Sequence, residues 1–171
     1  MTEALVDLFR HNRWANEQIV DYCRRQPDEL LDGKVAGTFG TPRATLMHFL
    51  ASEEWYLFRL TGKKFEDLLE EEHPFPGLDD LARRARRSGE AIIEAAQTTT
   101  YGRTYRTMPD EEGKVYEVQV PMVLVQVINH ATEHRAHIVT TVSALGGEPV
   151  EVDGWRWGLA TGVMKDVTSD A

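Results

Sequence analysis

From Val120 to Leu145 the chain contains no glycine; this largely apolar run has Pro121 at its start and Gly146-Gly147 just past its end. β-Branched residues crowd its first half, at Val123, Val125, Val127 and Ile128, and locally read like a strand. Strands seldom exceed about 10 residues. Length therefore decides for helix, as does the later period, which places Leu124, Ile128, Ala131, Ile138, Val142 and Leu145 on one broad side. Three more segments, near 3–24, 42–61 and 78–97, carry the same period. The expected fold class is all-α: a four-helix bundle, in one domain spanning 1–171.

Proline and glycine mark the boundaries. The first helix presents Leu5, Leu8, Phe9, Ala15, Ile19, Tyr22 and Cys23, with Thr2 as N-cap and Pro27 beyond its last turn. The stretch from Leu30 to Thr41 reads as loop. Thr41 and Pro42 open the second helix as N-cap and first residue, and Gly62 stops it. Leu46, Phe49, Leu50, Leu57 and Leu60 are its core candidates, with Trp55 and Phe58 on an adjoining stripe. Residues 63–76 are polar, acidic and closed by Pro74 and Pro76, which predicts a connection over the surface. The third helix offers Leu81, Ala85, Ile92 and Ala96, with Gly89 as a local weak point. Residues 103–120 change to β-formers around a turn at Pro109-Asp110-Glu111-Glu112-Gly113, which predicts a small hairpin before the last long helix. The tail from Glu148 is expected to fold back on the bundle, with a short helix at 157–164.

Composition excludes some functions. The net charge is −9, from 28 acidic and 19 basic residues, the wrong sign for a nucleic-acid groove. The cluster Arg83-Arg84-Ala85-Arg86-Arg87 is flanked by acids and reads as a solvated helix face. No apolar stretch approaches the roughly 20 residues of a transmembrane helix, and the acidic N-terminus does not resemble a signal peptide. The expected location is the cytoplasm, with neither membrane nor nucleic acid as partner. The single cysteine, Cys23, cannot form an internal disulfide and is expected to be a buried thiol.

The chemistry concentrates in Asn129-His130-Ala131-Thr132-Glu133-His134-Arg135-Ala136-His137, which holds three of the six histidines. Residues four apart on a helix have Cβ atoms about 5–6 Å apart, so His130 and His134 can aim at one point. A zinc-protease centre is excluded because Ala131 stands where H-E-x-x-H requires glutamate. The di-iron pattern finds only Glu70 to His73, in a loop before Pro74. No nucleophile elbow is present. What remains is a three-histidine centre: His48 from the second helix, His130 and His134 from the fourth. Neutral imidazoles suit Zn²⁺, Ni²⁺ or Fe²⁺, and three ligands leave a position open for water or substrate. His137 is open to four roles: fourth ligand, hydrogen-bond donor to a ligand, proton shuttle, or rim residue. A carboxylate such as Glu53 could also close the shell. Trp14 and Trp55 read as packing residues; Trp155 and Trp157 either pack the tail or line a substrate cleft.

Three stretches carry a family resemblance: Leu8-Phe9-Arg10-His11-Asn12-Arg13-Trp14-Ala15-Asn16-Glu17, then Leu46-Met47-His48 followed by Glu53, Glu54 and Trp55, then Asn129-His130 through His137. Together they make the chain resemble DinB/YfiT-type proteins, metal-dependent four-helix-bundle enzymes. The resemblance implies an up-down-down-up bundle, homodimers, and a divalent ion such as Zn²⁺ or Ni²⁺ on His48, His130 and His134. Many relatives have glutamine at the position of His137, so His137 is not implied as a ligand. Some relatives are transferases or isomerases that use a low-molecular-weight thiol. The implied function is thus a metal-dependent enzyme, a thiol-dependent S-transferase or isomerase acting on a small electrophile. The alternative is a non-catalytic metal-binding dimer with a structural or stress-response role.

Overall fold

The computed structural model describes residues 3–168; the expected cap at Thr2 lies outside them. Six helices and one hairpin follow in order: α1 Glu3–Arg24, α2 Asp28–Leu31, α3 Pro42–Thr61, α4 Leu78–Thr98, β1 Thr104–Arg106, β2 Glu117–Gln119, α5 Met122–Ala144 and α6 Gly154–Thr161. The four long helices form the all-α bundle that the period predicts.

Cross-helix contacts give its topology. Arg24 of α1 meets Asp79 at the start of α4, so these two run antiparallel. Tyr56 of α3 meets Gln126 of α5, while His48 meets His130, again antiparallel. Glu53 and Glu54 of α3 bond Ser88 and Arg84 of α4, and Asn12 of α1 bonds Arg135 of α5. Around the bundle the order is α1, α4, α3, α5, with directions up (α1), down (α3), down (α4), up (α5). The long connection from α3 to α4 is what lets two successive helices point the same way.

The punctuation acts locally as expected. Thr41 accepts a hydrogen bond from the Ala44 amide at 3.1 Å, and Gly62 ends α3 in the left-handed region at φ 75°. The hairpin is antiparallel, pairing Tyr105 with Val118. Its turn is held by Asp110, whose carboxylate accepts from the amides of Glu112 and Lys114 at 3.0 and 2.8 Å.

Several expectations need correction. The stretch expected to be all loop begins with the end of a single helical turn, α2, which buries Leu31. Pro121 precedes α5 as its cap instead of opening it. The last helix is Gly154–Thr161, three residues earlier than expected, because Asp153 caps the Arg156 amide at 2.9 Å and Gly162 ends the turn. Leu5 and Leu8 are about half exposed; the stripe through Val6, Phe9, Asn12, Asn16 and Ile19 faces the core instead. On α5 the buried face includes His134 and Arg135, whereas Leu145 lies outside it. Gly89 is less a weak point than a point of close approach: a Cβ there would lie 2.4 Å from Cγ of Arg13 on α1.

The connection at 63–77 is not a mere surface loop. Leu68 and Leu69 are buried, and the Leu69 amide donates to Glu54 at 2.8 Å. Glu54, itself buried, also accepts from Arg84 at 3.0 Å and Arg87 at 2.9 Å. Arg84 donates to the Asp67 carbonyl and Arg87 to its carboxylate, each at 2.7 Å. The basic cluster is therefore only half solvated. Arg83 and Arg86 face outward, while Arg84 is 8% exposed and clamps the connection to α3. A buried carboxylate needs such paired donors to offset its lost hydration.

The tail folds back along α1, as expected. Tyr22 donates to the Glu148 carbonyl at 2.7 Å, and His11 Nε2 bonds the Val152 carbonyl at 2.9 Å. Among the described residues no helix is long and apolar enough to cross a membrane.

Candidate metal centre

His48 lies in the second turn of α3, and His130 and His134 lie one turn apart on α5. The antiparallel packing of these helices brings the rings together: His48 to His130 centroids 4.9 Å apart, His48 to His134 4.7 Å, and His130 to His134 4.4 Å. One nitrogen from each ring falls within 4.8 Å of the other two. No carboxylate or fourth histidine joins this group among the described residues. His137 is 5.5 Å from His134, ring to ring, and outside the group.

The donor set fits a divalent ion. The Nε2 atoms of His48 and His130 face each other at 3.0 Å. Two nitrogens bound about 2.0–2.1 Å from one ion at tetrahedral or octahedral angles stand about 2.9–3.4 Å apart. His134 Nδ1 is buried without a hydrogen-bond partner, an unmet demand in a ring only 5% exposed. Three close imidazoles with no carboxylate among them suit a borderline-soft ion such as zinc or nickel better than magnesium or calcium.

Three residues that spacing alone did not reveal lie against the rings. Glu71 Oε1 is 2.9 Å from His48 Nδ1. When that nitrogen carries the hydrogen and donates to Glu71, Nε2 presents its lone pair to the group. Phe39, from the loop before α3, stacks on His48 at 4.1 Å and meets His134 edge-on at 4.9 Å. Tyr56 borders His130 at 5.5 Å, and its hydroxyl accepts from Gln126 at 3.3 Å.

Burial pushes His130 down to about 4, with His48 adding to the effect. Burial likewise lowers His134 to about 4, helped by repulsion from His130, His48 and His137. The stability consequence has a definite sign. Above about pH 6.5, the usual histidine value, both rings are neutral whether folded or not. As pH falls from there toward about 4, the unfolded chain takes up protons that these two folded rings refuse, so stability is lost across that window. Metal-free protein should show a falling denaturation midpoint between pH 6.5 and 4, reduced when both histidines are replaced by glutamine. By the same reasoning, proton competition for metal at His130 and His134 sets in near pH 4, not at the ordinary histidine value.

Glu53 is not available to close the shell. It is 2% exposed and points into the bundle, where Asn16 and Asn12 donate to Oε2 at 2.8 and 3.3 Å and Ser88 to Oε1. The carbonyl oxygens of Asn12 and Asn16 accept from Arg135 at 2.7 and 2.6 Å, and Arg135 also donates to Thr132 at 2.9 Å. Arg135, the residue after His134, is thus tied through α1 to the helix that carries His48. Burial raises Glu53 above the usual carboxylate range and lowers Arg135 to about 10.

The other candidates lie elsewhere. Cys23 is wholly buried and its thiol is pushed up to about 12, far from a reactive thiolate. His73 is exposed beside Glu70, as the poor di-iron match predicts. Trp14 and Trp157 line a cleft of about 520 Å³ that none of the three histidines enters, and Trp155 is 73% exposed.

The profile of the DinB family matches residues 1–160. The chain belongs to the DinB family. It is 23% identical over 155 residues to the Protein DinB of Bacillus subtilis (strain 168), covering 85% of this chain and 88% of that one. Its fold is that of a DinB-like protein from Bacillus cereus ATCC 10987, with a TM-score of 0.63 at 21% identity, over 89% of this chain and 97% of that chain. In this DinB-family bundle the three histidines close together could hold a metal ion.

Proposed function

We propose that this chain is a divalent-metal-dependent enzyme acting on a small electrophile, with His48, His130 and His134 holding zinc or nickel. The observation that carries this reading is the convergence of three imidazoles from two helices with no fourth His, Cys, Asp or Glu in their group among the described residues. A structural zinc centre is ordinarily closed by four protein ligands, whereas three leave room for an outside ligand. The ion, when bound, would supply Lewis acidity that lowers the pKa of a thiol or water beside it.

The chain's own residues prepare that chemistry. Glu71 holds His48 with one ring nitrogen turned inward. Burial keeps His130 and His134 unprotonated at neutral pH, so they remain donors. Phe39 covers His48 and His134 and screens that side from bulk water. A low-molecular-weight thiol is the proposed co-substrate, since Cys23 is too deeply buried and too weakly acidic to serve. The test is turnover by zinc- or nickel-loaded protein across a panel of small thiols and electrophiles. Metal- and thiol-dependent turnover that disappears in His130→Ala supports the enzyme. One bound metal without turnover of any pair supports the non-catalytic bundle.

We further propose that the protein acts as a homodimer. Leu5 and Leu8, each about half exposed on α1, exceed what the core stripe uses. Light scattering at micromolar concentration should give twice the 19.4 kDa chain mass, and a purely monomeric species would overturn the proposal.

A further inference from the structure

Toward the C-terminal end of α3, away from the histidines, a cavity of about 590 Å³ opens between the last turns of α3 and α4, the segment Lys63–Phe65 and the hairpin. Its floor is apolar: Leu57, Leu60, Phe65, Ala91, Ala95 and Val120. Its rim carries Lys63, Lys64 and Arg103 against one carboxylate, Glu94. In a chain of net charge −9, that is a local reversal of sign. Lys64 lies 5.1 Å over the Trp55 ring, and Arg103 makes one long hydrogen bond, 3.5 Å to the Arg59 carbonyl. Among the described residues no carboxylate pairs with Lys63 or Arg103.

Cations near helix C-termini are favourable in themselves, because the last carbonyls are partly negative. Here, however, hydroxyls already answer several of those carbonyls. Thr61 donates to Leu57 at 2.8 Å, and Thr99 to Ala95 at 2.7 Å. Lys63 and Arg103 are left on the rim of a hollow with an apolar floor. Small-molecule sites typically measure about 300–1,000 Å³ and combine an apolar lining with a few polar groups. We propose that this cavity binds a small organic anion with a short apolar tail, of which a medium-chain carboxylate is the simplest member. The tail lies on the floor and the carboxylate meets Lys63 and Arg103. The proposal does not rest on the histidine centre, which contributes no residue to this cavity.

The test is calorimetric titration of the full-length protein with sodium octanoate, and in parallel with octylammonium chloride. Octanoate should bind saturably at one site, at least tenfold more tightly than octylammonium. The double variant Lys63→Glu/Arg103→Glu should weaken octanoate at least tenfold while melting as wild type does, since both side chains lie outside the core. Ala91→Phe, which fills part of the cavity from its floor, should weaken it as well. His48→Ala should leave it unchanged. Absence of saturable binding, equal affinity in the double variant, or equal binding of octylammonium would each overturn the proposal. So would loss of octanoate binding in His48→Ala, which would place the carboxylate at the histidines.

Discussion

His48→Ala and His134→Ala protein, expressed without a histidine tag and dialysed, is expected to retain little of the divalent metal held by wild type, and His137→Ala to retain nearly all of it. The reasoning is geometric and chemical together. Three nitrogens lie within 4.8 Å of one another, and His137 is not among them. With one imidazole gone, two remain, and two imidazoles compete poorly with water for a divalent ion. Loss of a residue that orients a ligand typically costs about 10–100-fold in affinity, so Glu71→Ala should fall between wild type and the histidine variants. Elemental mass spectrometry on the dialysed proteins reads the outcome. Full metal in His48→Ala and His134→Ala would refute the three-histidine centre. A loss in His137→Ala equal to theirs would make it a fourth ligand.

The second large effect concerns stability. Arg135→Ala should destabilise the fold by about 3–5 kcal/mol, the usual cost of breaking a buried charged network by removing one partner. Arg135 is 4% exposed, and its removal leaves the Asn12 and Asn16 carbonyl oxygens without donors and Glu53 without a compensating charge. For a chain of this size each kcal/mol shifts the melting temperature by about 2–4 °C, so the loss is roughly 6–20 °C. Glu53→Gln keeps the shape but only one of the two acceptor oxygens, and should cost about 1–3 kcal/mol. Chemical denaturation of the metal-free variants measures both without interference from metal. Wild-type stability in Arg135→Ala would mean that the network contributes nothing net.

The long helices were legible because local signals agree with tertiary structure there. Thr41, Pro42 and Gly62 bracket α3 by backbone chemistry that needs no distant partner. The pair His130 and His134 was legible for the same reason, since a helix fixes its own i, i+4 neighbours. That His48 joins them depends on the antiparallel packing of α3 and α5, and family resemblance supported that step from sequence. Glu71 and Phe39 were not read because they reach the site along loop paths, which have no period to count. A carboxylate in an acidic run after the helix bearing His48 was the one available hint for Glu71. Arg84 misled because its flanking acids suggested a solvated face, whereas its buried partner Glu54 lies 30 residues earlier. The start of α6 was missed because Asp153, the capping residue that sets the register, was not read as a cap.

The clamp on the connection between α3 and α4 links parts of the molecule that look unrelated. The Leu69 amide is fixed to Glu54, and Glu54 to Arg84 and Arg87. Glu71 follows only two residues later, so the carboxylate that chooses the proton-bearing nitrogen of His48 hangs on a very short tether. The length of that tether, rather than any feature of the histidines, sets how firmly the ring is aimed. Chain inserted between Leu69 and Glu71 would slacken it and leave His48 free to present either nitrogen. Chain inserted after Glu71, toward Pro74 and Pro76, would lengthen the crossover without loosening the ring. Variation in this crossover is therefore tolerable on one side of Glu71 and costly on the other.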